Sequence, residues 1–160
     1  MAAYNKWQND SLYGAADTME DGARKLDRGA FFGSIHGTLN HILWGDRMWM
    51  RRFAGSATPT QPSFAGSVEE CGEWSDLKSA REQMDQAIND WATGLDDERL
   101  AGDLSWFSSA LQADVSKPMG MLVSHFFNHQ THHRRQVYAM LTSTGAKPDD
   151  TDLLIMPDTY

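Results

Sequence analysis

At 160 residues and 18.0 kDa the chain is the size of one domain, large enough to bury a core without disulfides or a metal staple. Its composition, 41% hydrophobic and 22% charged with six Trp and nine Met, excludes disorder except at the ends. A formal charge of -8 and a pI of about 5.1 repel a phosphate backbone, which excludes nucleic acid as a partner.

The first predicted helix runs from about Ala3 to Met19, with Tyr4, Trp7, Leu12, Ala15 and Met19 leaning to one side in a loose pattern. The second, from about Phe31 to Phe53, is better defined. Ile35, Leu39, Ile42, Trp49 and Phe53 recur at helical spacing and make a wide apolar stripe. Residues 54 to 74 are rich in Gly, Ser, Pro and Thr and read as a long loop, with a short turn in which Ser67 and Glu70 form a capping box. A third helix begins with Ser75 as N-cap and places Leu77, Met84, Ile88, Trp91 and Leu95 on one face.

The period then changes. Leu104 and Trp106, a Ser-Ser turn, and Leu111, Ala113 and Val115 alternate like a short hairpin. The fourth helix opens at Pro118 and continues to about Thr144, where Gly145 and Pro148 stop it. The tail "TDLLIMPDTY" is apolar enough to pack back on the body. These elements predict an all-α, antiparallel-type four-helix bundle in a single domain of residues 1–160, with a short β-hairpin or extended excursion between the third and fourth helices.

Two short basic clusters, Arg47 with Arg51 and Arg52, and Arg134 with Arg135, read as helix-surface charge. No apolar run approaches the roughly 18 residues needed to span a bilayer, so no membrane partner is expected. The N-terminus "MAAYNKWQND" has neither a basic nor an apolar leader region, and the lone Cys71 cannot form an intramolecular disulfide. Both point to the cytoplasm. Cys71 has no histidine near it in sequence, which argues against a nucleophile.

The stretch "HFFNHQTHHRRQ", residues 125–136, holds four histidines. Along its helix the core stripe is Leu122, Phe126, His129, His133, Val137 and Met140, so two histidines occupy core positions one turn apart. His132 points away. The pair reads either as metal ligands or as core histidines, and two imidazoles facing one interior need partners in both cases. His125 flanks the same stripe as a fourth ligand, a proton carrier or a hydrogen-bonded neighbour; a supporting role suits it best.

A third ligand must come from another helix. His41, in "TLNHILWGDRMW", has Gly37, Thr38, Trp44 and Gly45 as helical neighbours. Two glycines inside a helix cost about 1 kcal/mol each relative to alanine. Space beside His41 for a metal, a ligand or a close helix accounts for both. His36 is turned off that face and reads as a surface or capping residue.

"FFGSIHGTLNHILWGDRMW" together with "HFFNHQTHHRRQV" resembles the DinB family, the DinB/YfiT-like metalloenzymes, and the resemblance extends over nearly the whole chain. The family usually has Arg-Gly-Gln after the paired histidines, whereas Arg134 here is followed by Arg135 and Gln136; that departure touches local helix packing or a dimer contact rather than the site. The resemblance implies a four-helix bundle, commonly a homodimer, with a three-histidine metal site at His41, His129 and His133.

Such a site leaves coordination positions open, for water in hydrolysis or for a thiol as nucleophile. No acid lies one turn from any of the three histidines, so the local base of an HExxH-type hydrolase is missing. That favours a thiol-dependent transferase acting on a small molecule. A base from elsewhere, such as Asp10, Asp17 or Asp85, keeps the hydrolase open, and a non-catalytic metal- or ligand-binding module is the third reading. One divalent transition metal per chain is expected, zinc by default and nickel next. Trp44 and Met48 are expected to line the adjoining pocket, although each alone reads as core.

Overall fold

A computed structural model describes residues 1–56 and 58–160. Ala57, within the predicted loop of 54–74, lies outside the described residues. The chain is mostly helical. Four long helices, α1 (Ala2–Asp17), α3 (Ile35–Ala54), α4 (Trp74–Thr93) and α6 (Met119–Ser143), are accompanied by the short α2 (Asp21–Lys25) and α5 (Asp97–Ala101). Helices α1 and α3 each pack against both α4 and α6. The predicted stripe of α3 is buried throughout, and Leu122, Phe126, Val137 and Met140 of α6 meet it in the same core.

The hairpin falls where the change of period predicts it. Strands β1 (Asp103–Ser108) and β2 (Ala113–Pro118) pair antiparallel, with Trp106 opposite Val115. Trp106 meets Trp49 of α3 edge-on, and the Arg52 guanidinium lies over both rings.

Helix α3 starts at Ile35 rather than Phe31. Ser34 is its N-cap, accepting from the Gly37 N–H at 2.9 Å, and residues 30–33 form a tight turn closed by Gly33 N–H to Ala30 O at 2.8 Å. Gly33 adopts a φ of 71° there. Helix α4 begins one residue before the predicted cap: Glu73 stands at the N-cap without a side-chain bond, and Ser75 lies inside the helix. The 3-10 turn Ala65–Glu69 packs against α3.

The loose pattern of α1 has a physical cause. Its buried face carries Asn5, Asn9 and Tyr13 beside Trp7, Leu12 and Ala16. Asn5 and Asn9 donate to Asp85 Oδ1 at 3.2 and 2.8 Å; Asp85 also pairs with Arg81 at 3.0 Å, and Arg81 donates to Asp46 Oδ2 at 2.6 Å. Gln130 donates to Asp46 Oδ1 at 2.8 Å, and Arg134 donates to Asn5 Oδ1. Burial opposes the Arg81 charge, but Asp85 and Asp46 outweigh it and hold the guanidinium protonated. The four long helices are thus joined at their centre by a polar network as well as by apolar packing.

Several surface assignments are corrected here. Arg134 is 5% exposed, buried by that network, whereas Arg135 is exposed and stacks on Tyr138. Arg47 bonds the buried Glu70 carboxylate at 2.5 Å. His36 is 6% exposed, and Asn40 Nδ2 donates to its Nδ1 at 3.0 Å. The tail is tied to α1 by Gln8 to Asp150 O at 3.0 Å and Tyr4 to Thr151 O at 2.9 Å, yet Leu153, Leu154 and Ile155 stay exposed, so polar contacts rather than apolar packing hold it. Among the described residues no helix is long and apolar enough to cross a membrane.

Candidate metal centre

His41 comes from the middle of α3, and His129 and His133 from successive turns of α6, the helix packed against it. Their ring centres stand 5.2 Å (His41–His129), 4.7 Å (His41–His133) and 4.5 Å (His129–His133) apart. One nitrogen from each lies within 4.8 Å of the others. His41 is 1% exposed; His129 and His133 are half-buried.

The close approach is made by glycine. A Cβ on Gly45 would stand 2.9 Å from His129 Cε1, so a side chain there would push the α6 imidazole away from α3. A Cβ on Gly37 would stand 2.6 Å from the carbonyl oxygen of Phe32, which fixes the 30–33 turn onto α3 and lays the Phe32 ring against His41 at 3.8 Å between centres. Both glycines beside His41 are therefore occupied by neighbours: one by a second site histidine, the other by the loop that roofs the first.

The donor set fits a transition metal. His41 Nε2 and His129 Nε2 are 3.2 Å apart. Two imidazole nitrogens bound to one tetrahedral zinc stand about 3.3 Å apart, given Zn–N bonds of about 2.0–2.1 Å. The outward nitrogens of two rings are anchored: His41 Nδ1 hydrogen-bonds with Ser67 Oγ at 2.9 Å, and His133 Nδ1 with Gln136 Oε1 at 3.0 Å. Such bonds fix ring orientation and turn Nε2 inward. His129 Nδ1 is buried without a partner among the described residues. The rings are also kept in the ligating, neutral form. Burial, then His129 and His133, pushes His41 down to about 3; burial, then His133, His125 and His132, pushes His129 to about 4. His133 is lowered by burial although Gln136 pulls the other way.

The family model described as DinB family matches residues 1–159. The chain belongs to the DinB family. Among curated DinB proteins, "Protein DinB" of Bacillus subtilis (strain 168) is 20% identical over 149 residues, spanning 93% of this chain and 87% of that protein. No solved structure matches the chain.

The other predicted site residues fall around the three histidines at different distances. His125 is exposed, its ring centre 6.0 Å from His129 and 5.4 Å from Trp49. His132 is exposed, as expected. Trp44 stacks beside His41 at 5.9 Å and donates from Nε1 to Gln61 O at 2.8 Å, whereas Met48 is partly buried against the core. The candidate acids are engaged elsewhere: Asp10 with Lys6, Asp17 with Trp74 and Lys78, Asp85 with Arg81.

Sequence reading missed four contributors. Ser67 does not cap a turn with Glu70. Its hydroxyl is turned to His41, and Glu70 instead receives Thr60 N–H at 2.9 Å and Gln61 N–H at 3.0 Å, closing the loop over Trp44. Phe32 and Phe64 flank His41 from two loops. Gln136 carried a signal, since it lies three residues after His133 on the same face. The contacts of Ser67, Phe32 and Phe64 are non-local and had none.

Proposed function

We propose that the chain is a metal-dependent enzyme acting on a small molecule, a thiol-dependent transferase, with His41, His129 and His133 holding one divalent transition metal, zinc first and nickel next. The carrying observation is a centre made of histidines alone: among the described residues the cluster able to hold a metal contains no carboxylate, and Asp10, Asp17 and Asp85 are all paired away from it. A metal held by three imidazoles supplies Lewis acidity, which lowers a thiol's pKa without a protein base. The residues around it do the rest. Ser67 and Gln136 orient two of the rings, burial keeps the imidazoles neutral, and the Phe32 ring covers one face of His41. His125, exposed beside His129, is assigned the role of proton carrier, and Trp44 and Met48 the pocket wall.

The ring of contacts among α1, α3, α4 and α6 supports the antiparallel-type four-helix bundle as the family architecture. A homodimer is the assembly proposed, with the exposed Arg135 position available to its contact, and the cytoplasm is the proposed compartment on the strength of the single free Cys71.

The test pairs metal-loaded protein with a low-molecular-weight thiol and 1-chloro-2,4-dinitrobenzene. Conjugation that requires metal and is lost in His133→Ala supports the transferase. Metal- and His133-dependent cleavage of p-nitrophenyl acetate without conjugation would replace it by the hydrolase, and neither activity in a metal-binding protein would leave a binding module.

A further inference from the structure

The histidine centre is surrounded on one side by phenylalanines that the fold has not buried. Phe31 and Phe32 occupy the middle of the 30–33 turn, and Phe64 comes from the loop that Glu70 closes. Phe31 meets Phe32 at 4.9 Å and Phe64 at 6.4 Å, both edge-on; Phe32 meets Phe64 at 5.8 Å. The cluster continues without a break into the site, since Phe32 lies 3.8 Å from His41 and 5.2 Å from His133, and Phe64 lies 5.4 Å from His41. Yet Phe31 is 74% and Phe64 56% exposed.

Single exposed phenylalanines need no explanation, but two from separate loops converging beside a chemically competent centre do. Ligand sites combine an aromatic lining with a few polar groups at one point, and that is the arrangement here. Other exposed apolar side chains, such as Leu153 to Ile155 on the tail and Phe107 with Leu111 on the hairpin, belong to elements that supply none of the three histidines.

We propose that Phe31, Phe32 and Phe64 form an aromatic collar that recognises a flat apolar ring on the small-molecule substrate, while the substrate's polar reacting group reaches His41, His129 and His133. The inference rests on the open metal site of the proposed function. Phe32, stacked on His41, is the fixed floor; Phe31 and Phe64 are the two walls that a ring covers. The apolar area removed from water then favours ring-bearing over methyl-bearing ligands of the same metal-binding group.

The experiment compares benzohydroxamate with acetohydroxamate on protein loaded with Co(II), following the cobalt absorption bands and, with zinc, the heat of binding. Benzohydroxamate is expected to bind about tenfold more tightly. In Phe31→Ser/Phe64→Ser the ratio falls to about one, and Phe107→Ser, a control at a comparably exposed site, keeps the wild-type ratio. Phe31→Ser alone lowers the ratio in part, which preserves the test should the double variant fold poorly. A ratio near one in the wild type, or one that survives removal of both walls, overturns the collar and leaves the metal reading intact. If neither hydroxamate binds the loaded protein, the open site itself fails and the collar falls with it.

Discussion

At the scale of single residues, the centre depends on atoms that hold the imidazoles rather than on the imidazoles alone. Gly45→Ala should lower metal affinity at least tenfold, because its Cβ meets His129 Cε1 at 2.9 Å, while helix content is unchanged or slightly higher. Chelator competition and circular dichroism on the same samples check both halves. Ser67→Ala frees His41 Nδ1 and should weaken metal binding about 10- to 100-fold. The same histidines set an acid response in metal-free protein. Their unfolded pKa is about 6.5, and in the fold His41 is down at about 3 and His129 at about 4, so the unfolded chain takes up protons first as pH falls. Their contribution is present above pH 6.5 and is lost progressively as pH drops through 6 and 5 toward the folded values. Urea midpoints of the apo protein should therefore fall between pH 7.5 and 5, and the fall should be smaller in His41→Asn.

Between elements, the central polar network separates two adjacent arginines that look alike in sequence. Arg134→Ala removes the donor to Asn5 and empties a buried position, and should cost about 3 kcal/mol in denaturant unfolding; Arg135→Ala, on the exposed side of α6, should change stability by less than about 0.5 kcal/mol. What could be read from sequence follows the same division. The stripes of α3 and α6 and the switch of period at the hairpin are local repeats of apolar residues, and they located the long helices and the strands to within a few positions; His129 and His133 stood out on the α6 stripe, whereas His41 was singled out by its glycine neighbours and the family resemblance. The network of Asn5, Asn9, Asp46, Arg81, Asp85 and Arg134 is polar, so a hydrophobicity pattern reads it as surface. The Phe32 and Phe64 loops and the Ser67 hydroxyl reach the site through contacts distant in sequence, and nothing in their own neighbours marks them.

For the whole molecule, a metal held by the three histidines would link binding to folding. A metal that binds only the folded state at one hundred times its Kd adds about 2.7 kcal/mol, which for a chain of this size raises Tm by roughly 5–10 °C. Stripping with chelator should remove that increment and re-addition of zinc or nickel should restore it, with no such response in His129→Ala. The claim on which all of this depends is that three histidines from two helices hold one ion. Elemental analysis of untagged protein, wild type beside His41→Ala, His129→Ala and His133→Ala, desalted without chelator, tests it most directly. The account predicts close to one equivalent of a transition metal per chain in the wild type and its loss in all three variants; folded wild-type protein that stays metal-free after incubation with zinc and nickel would contradict it.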